Sequence, residues 1–450
     1  MTELTEGDYS LYITNQNIYI EYKYYNNILD IDKYSGGITE SNIQLSENIK
    51  KIKPQKPHAI LGIINLEKIE FIIFVKSAYV IGKIEEAEVF RVKEVELIPI
   101  VPDKELDYLG SEVRNLVEGI KNLYTLGFFY SFNYDLTNSL QNQSKLKELD
   151  ILTSANKKFF WNFCLYKNFY LTNNLNEKEK ENANEKYNEN RNGYDEGNLS
   201  FISTLKVNKI WMVVCIYGYV GIVNLKIDYN LTSEKTAVYL ISRRSIFHSG
   251  TRYLSRGVDD NGHVANHVET EQILKIKDNL FSFMQLRGSV PIFFEQPGIQ
   301  ANTNIIRNAT MTAPAFKKHI QEIRDDFGYI YLINLMNMKK PNEHIITENY
   351  ELQIKNNELK NLKYLFWDFQ NKCKFDNYEP LDDFAKDLEG VFKIFKYHHE
   401  KDQGKIIKKQ GGIIRTNCLD CLDRTNVVQA RIGWKVLELL VKKIKKLNNK

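Results

Sequence analysis

The sequence predicts an α/β protein: an N-terminal β-rich domain, then an α/β catalytic domain with a Cys-x5-Arg phosphate-binding loop between a strand and a helix. Three observations predict it. Residues 1 to about 170 alternate short β-branched runs with turns, and beyond residue 200 strand-like runs are interleaved with helical stretches. At 411–432 the string GGIIRTNCLDCLDRTNVVQARI then passes from an apolar run through a tight loop into helix-like sequence.

The N-terminal domain is set at 1–172. Its runs are SLYITNQNIYIEYKYY, AILGIINL, IEFIIFV, AYVIGKI and VELIPIV, which show period-two alternation or unbroken β-branched character. A helix is expected at about Leu106 to Leu123, and Leu136 to Lys158 reads as polar helical turns. From 173 to 200 the composition shifts to Asn, Glu and Lys with few apolar anchors. Such a stretch buries too little surface to offset its ordering entropy, so a disordered insertion is expected there. The catalytic domain is set at 201–450, with strands at IWMVVCIYGYV, AVYLISRRS, YIYLINL and KYLFWDF. The longest apolar run, Ile210 to Val223, is too short to span a bilayer and reads as two buried strands. In the last segment Val436, Leu437, Leu440, Val441, Ile444 and Leu447 form one stripe. Such a basic amphipathic helix either lies on an anionic membrane or, the favoured reading, backs the loop and buries its stripe in the core.

The spacing of the loop has a mechanical reason. Five residues between Cys418 and Arg424 let the chain curl round a tetrahedral anion, with backbone amides from about 419 to 424, those of Leu419, Cys421 and Leu422 among them, turned inward. The helix that follows adds its positive end. That field, with Arg424 beside it, would hold Cys418 as the nucleophilic thiolate. Arg424 brings a planar fork that grips two phosphoryl oxygens together, and Thr425 is placed to donate to the departing sulfur. The implied reaction is phosphomonoester hydrolysis through a cysteinyl-phosphate, with neither metal nor cofactor. The rival reading of Cys418 and Cys421 as a C-x-x-C redox pair or half a zinc site finds no second pair, since Cys164, Cys215 and Cys373 are scattered.

Around the loop, Arg243, Arg252, Arg256 and Arg287 are candidates for the phosphorylated headgroup, with internal ion pairs to Asp259, Asp260, Glu269 or Glu271 as their structural alternative. Asp420 and Asp423 are unexpected in an anion cradle and disfavour a polyphosphate headgroup, unless protonated or paired with Arg415 or another base. Asp420 is the first candidate for the acid that protonates the leaving alcohol, with Asp423 and Asp368 as alternatives.

The full string RTNCLDCLDRTN resembles the signature of the SAC-domain (suppressor-of-actin) phosphoinositide phosphatases. AILGIINL, FFYSFNYDLTNSLQ, SGTRYLSRGVDDNGHVANHVETEQI and LRGSVPIFFEQ resemble that family too. By this resemblance Cys418 is the nucleophile and Arg424 the phosphate-binding residue. The resemblance also implies a monophosphorylated lipid substrate, phosphatidylinositol 4-phosphate first, in peripheral contact with an anionic membrane at the cytoplasmic face of the endoplasmic reticulum or Golgi. The chain departs from the family at Gln370, where a histidine is usual, and at Phe294, where a tryptophan is. It also stops shortly after the loop helix, so a C-terminally incomplete domain is expected. That shortness motivates a second reading, a catalytically silent lipid-binding or scaffold protein; protein-tyrosine-type hydrolysis is a third.

Hydrophobic residues at 43% and charged ones at 26% are ordinary for a soluble globular protein, and a net charge of +4 over 450 residues does not imply nucleic acid. Five cysteines in no paired pattern argue for a reducing compartment. The N-terminus, MTELTEGDYS, reads as no signal peptide, and no transmembrane segment is expected.

Overall fold

The computed structural model describes residues 2–4, 6–106, 110–146, 150–166, 209–229, 232–250, 255–298, 302–357, 359–401, 404–419 and 421–448. The expected insertion at 173–200 lies outside them. The chain divides into two compact units, one of 1–137 with 148–220 and one of 138–147 with 221–450.

The first unit is β-rich, as its alternating sequence requires. Tyr9–Ile13, Asn17–Tyr22, Tyr25–Asp32 and Ile38–Ser41 form an antiparallel meander. In a second antiparallel set, Ala59–Leu66 and Ala87–Pro99 flank the long strand Ile69–Ile84, and Phe128–Tyr130 pairs with both Arg91 and Cys215–Tyr217. The two runs read separately as IEFIIFV and AYVIGKI are one strand, bent by irregularities at Val75/Ser77 and Val80/Gly82. The run Ile210 to Val223 is corrected likewise: a short helical turn, Lys209–Trp211, leads into a single strand, Cys215–Tyr229. The expected helix begins later than the sequence suggests, at Ser111, and ends at Tyr124. Buried Asn162 ties this unit together, donating to the carbonyls of Leu61 (3.0 Å) and Val213 (2.7 Å) while accepting from the Cys215 amide (2.8 Å).

The second unit is a mixed sheet with helices on both faces. Thr232–Arg244, Val268–Ile276 and Asn279–Arg287 run antiparallel in turn. Gly412–Asn417 then lies parallel to Asn279–Arg287 on one side and to Tyr329–Asn334 on the other, with Leu362–Phe366 beyond, also parallel. All six residues of Gly412–Asn417 are buried, the burial expected of a parallel strand covered on both sides. Ile413 packs with Phe316, Ile320, Ile346 and Tyr350 from the helices Ala309–Phe327 and Pro341–Asn356. Ile414 packs with Phe384, Phe392 and Phe395 and with Val428, Ile432, Val436 and Leu440 of the helix Asp423–Asn448. Of the expected stripe, Val436 and Leu440 are buried in this core and Leu437 and Val441 pack against it, while the side chains of Ile444 and Leu447 lie outside those described. Two glycines permit these approaches. A Cβ at Gly412 would stand 2.2 Å from the Phe395 ring, and one at Gly433 would stand 2.4 Å from Gln272 Oε1. Residues 138–147 are held here by Glu271, which accepts from the Leu140 amide (2.9 Å), and by Gln410, whose amide donates to Gln141 Oε1 (2.7 Å).

Candidate active site

The central buried strand ends at Asn417, Cys418 follows at once, and the long helix starts at Asp423. The strand, short loop and helix expected from the sequence are present, at the carboxyl edge of parallel strands where α/β sheets commonly bind ligands. Asn417 is braced from the next strand by Asn334 Oδ1, which accepts from its side-chain amide at 2.9 Å.

Cys418 is fully buried within the cluster that holds Phe369, Cys373 and Val428. The backbone amide of Cys421 donates to Cys418 Sγ at 3.0 Å, the Cys418 amide points at Cys421 Sγ at 3.4 Å, and the Cys421 thiol donates to the Cys418 carbonyl at 3.2 Å. Cys421 has a left-handed backbone, with φ 56°. Burial, and then the neighbouring Cys418, push the Cys421 thiol well above its ordinary value, so it stays a neutral donor.

Two of the expected arginines reach the loop. Arg256 donates to the Leu419 carbonyl at 3.2 Å and Arg287 to the Cys421 carbonyl at 2.9 Å. Both contacts are to backbone oxygens, so these side chains clamp the loop by its carbonyls. Burial lowers the pKa of Arg287; the Cys421 and Cys418 sulfurs push it back up, and the like charge of Arg244 adds to the fall. Arg243, expected at the headgroup, is corrected: it is fully buried with Glu271 at 2.7 Å and Glu269 at 3.9 Å, because the ladder sets it opposite Glu269. Arg252 and Asp420 lie outside the described residues. Arg415 is also buried, but its partners are His319 Nε2 (3.0 Å) and the Ser289 carbonyl (2.6 Å). Thr425 is buried and donates to the Leu422 carbonyl at 3.4 Å. Asp423 is exposed at the first position of the loop helix. Asp368 caps a short helix by accepting from the Asn371 amide.

Arg424 is turned toward a residue the sequence reading missed. Its Nη1 and Nη2 donate to Glu343 Oε2 and Oε1 at 2.6 and 3.2 Å, and Nη1 also donates to the Leu335 carbonyl at 3.2 Å. Glu343, in the first turn of Pro341–Asn356, additionally accepts from the Asn337 amide at 2.8 Å. The one available signal was its place three residues into a Pro-initiated helix, a common spot for a carboxylate. Among the described residues, no three His, Cys, Asp or Glu side chains gather as metal ligands, and no helix is long and apolar enough to cross a membrane.

Residues 58–374 match the family model described as the SacI homology domain. The chain is 32% identical to a phosphatidylinositide phosphatase SAC2 of Danio rerio, over 70% of this chain and 28% of that protein. It is 31% identical to the phosphatidylinositol-3-phosphatase SAC1 of Saccharomyces cerevisiae, over 84% of this chain and 57% of that protein. With synaptojanin-1 of Mus musculus it shares 30% identity, over 87% of this chain and 22% of that protein. The chain thus spans from about a fifth to somewhat over half the length of these relatives.

Proposed function

The chain belongs to the SAC-domain phosphoinositide phosphatases, and from that membership we propose that it removes the phosphate of a monophosphorylated phosphatidylinositol, with phosphatidylinositol 4-phosphate as the preferred substrate. The observation that carries the chemistry is the Cys421 amide donating to Cys418 Sγ at 3.0 Å where strand gives way to helix. A backbone donor so placed stabilises negative charge on sulfur, the form that attacks phosphorus.

In this reading the sulfur of Cys418 bonds to phosphorus as the bond from phosphorus to the inositol oxygen breaks. An aspartate, Asp420 first and Asp423 second, gives the leaving oxygen its proton. Water then attacks phosphorus, the S–P bond breaks, and inorganic phosphate leaves. Arg424 and the loop amides of Leu419, Cys421 and Leu422 hold the phosphoryl oxygens, and Thr425 attends the sulfur. Arg256 and Arg287 support the loop through its carbonyls. A single-phosphate headgroup fits a loop that itself carries Asp420 and Asp423. Action at the cytoplasmic face of the endoplasmic reticulum or Golgi follows from the same family likeness.

Phosphate release by the 450-residue chain from each mono- and bisphosphorylated lipid tests this, with a phosphotyrosine peptide alongside. Turnover of phosphatidylinositol 4-phosphate that is lost in Cys418→Ser is the expected result; release by the serine variant would overturn the nucleophile. The ion pair that engages Arg424 with Glu343 favours a second reading, lipid binding without turnover. Binding without release from any lipid would establish that one.

A further inference from the structure

On the sheet edge that carries Cys418, one aromatic side chain stands wholly in solvent. Phe375 is 100% exposed, and its backbone is left-handed, with φ 52° and ψ 40°. That region is an outlier for a bulky residue and is kept only where the surroundings enforce it.

Phe366, Asn334 and Asn417 lie side by side at the ends of three parallel strands, so the chain leaving Phe366 starts about 10 Å from the loop at the usual strand spacing. The Trp367 amide donates to the Asn334 carbonyl, and Gln370 accepts from the Asn337 side chain. Cys373 is buried in the same cluster as Cys418 and Cys421. Two residues later the chain presents Phe375, flanked by exposed Lys372 and Lys374, with exposed Lys339 and Lys340 on the turn after the neighbouring strand. Glu379 follows in the chain and is exposed, and Asp368 is turned to its helix cap. Phe375 is thus an apolar point with Lys372 and Lys374 on either side of it in the chain, and the turn that bears Lys339 and Lys340 is tied to the same segment through Asn337 and Gln370.

A second basic group, Lys408 and Lys443 about the Tyr397 ring, lies at the other end of the sheet, where His398–Lys401 pairs with Asn279–Ser282. Docking there would turn the loop away from a bilayer.

We propose that Phe375, with Lys372, Lys374, Lys339 and Lys340, is a membrane wedge: the ring enters the headgroup region of an anionic bilayer, the lysines meet lipid phosphates, and the loop edge is thereby held toward the membrane. The inference rests on the lipid-phosphatase reading for its choice of a bilayer as partner, and it deepens that reading by naming the docking point.

The test uses the whole chain with phosphatidylcholine vesicles containing phosphatidylserine. Phe375→Ser is expected to lower the vesicle-bound fraction roughly tenfold, the loss of one inserted aromatic side chain. Phe375→Trp is expected to bind as the parent does and to shift its emission to the blue on vesicles. Hydrolysis of vesicle-embedded phosphatidylinositol 4-phosphate should fall in the serine variant, while hydrolysis of a soluble short-chain analogue should not. The proposal is overturned if the parent does not bind these vesicles, if Phe375→Ser binds as well as the parent, or if the tryptophan emission does not move. Vesicle binding lost in the serine variant, with no phosphate release by the parent, would support the wedge and overturn the enzymatic reading instead.

Discussion

Arg424 and Glu343, 81 positions apart in the chain, meet end-on, both terminal nitrogens of the guanidinium on both oxygens of a nearly buried carboxylate. An arginine has two double-donor edges, and Glu343 takes the Nη1/Nη2 end. Glu343 thereby fixes the plane of the fork.

Replacing Glu343 with Gln removes the charge and sets an amide donor against guanidinium donors. We expect kcat to fall about a hundredfold with a smaller change in KM, since misaligned groups lose mainly the chemical step. Stability should fall by roughly 3 kcal/mol as one partner of a buried pair goes. Glu343→Asp, which keeps the charge, should recover part of both. Steady-state kinetics and thermal unfolding check this; a Gln variant with parental kcat would leave the pair without a role in turnover.

The two loop cysteines should behave differently. The Cys421 group that faces the Cys418 sulfur at 3.0 Å is a backbone amide, which survives truncation of the side chain. Cys421→Ala should keep activity within about tenfold of the parent and cost about 1 kcal/mol for its thiol hydrogen bond, whereas Cys418→Ser should lose turnover. Equal losses at both positions in a phosphate-release assay would mean that the sulfurs act as a pair.

Arg287 offers a trade between stability and activity. Burial lowers its pKa, which means that the fold disfavours its charge, and its donor contact is to a carbonyl. Arg287→Met should therefore leave the melting temperature unchanged or raised, while kcat/KM falls about tenfold as the loop loses its clamp. A fall in melting temperature without a kinetic change would contradict this account.

In the first unit, buried His58 lies 2.6 Å from the Tyr130 hydroxyl, and desolvation lowers its pKa. The folded state prefers the neutral ring, so an unfolded chain titrating near pH ~6.5 binds the proton more readily. Stability is complete above that pH and is lost as pH falls below it. Denaturant midpoints between about pH 7.5 and 5 should drop more steeply for the parent than for His58→Gln; parallel curves would remove His58 as the cause.

Much of the candidate site was legible because its signals are local. The apolar run, the loop spacing and the helix stripe lie within 40 residues of one another, and strand alternation marked most of the first unit. Arg256 and Arg287 were picked out by residue type, but their contact with carbonyls depends on how the loop is wound. Arg243 could not be sorted from its neighbours until strand register set it against Glu269 and Glu271. Glu343 left only a weak local trace, since its role is created by tertiary packing of a helix from another part of the chain.

The short stretch 138–147 gives the chain an unusual assembly history. Gln141 emerges during synthesis 269 positions ahead of Gln410, the backbone it must clasp. The unit bearing Cys418 is thus completed by a peptide made much earlier, and contacts between such remote positions form slowly. Proteolytic nicking between 147 and 221 should accordingly yield two fragments that stay together on a sizing column, and a gene fragment starting at 221 should give a protein with an open seam beside its central strand.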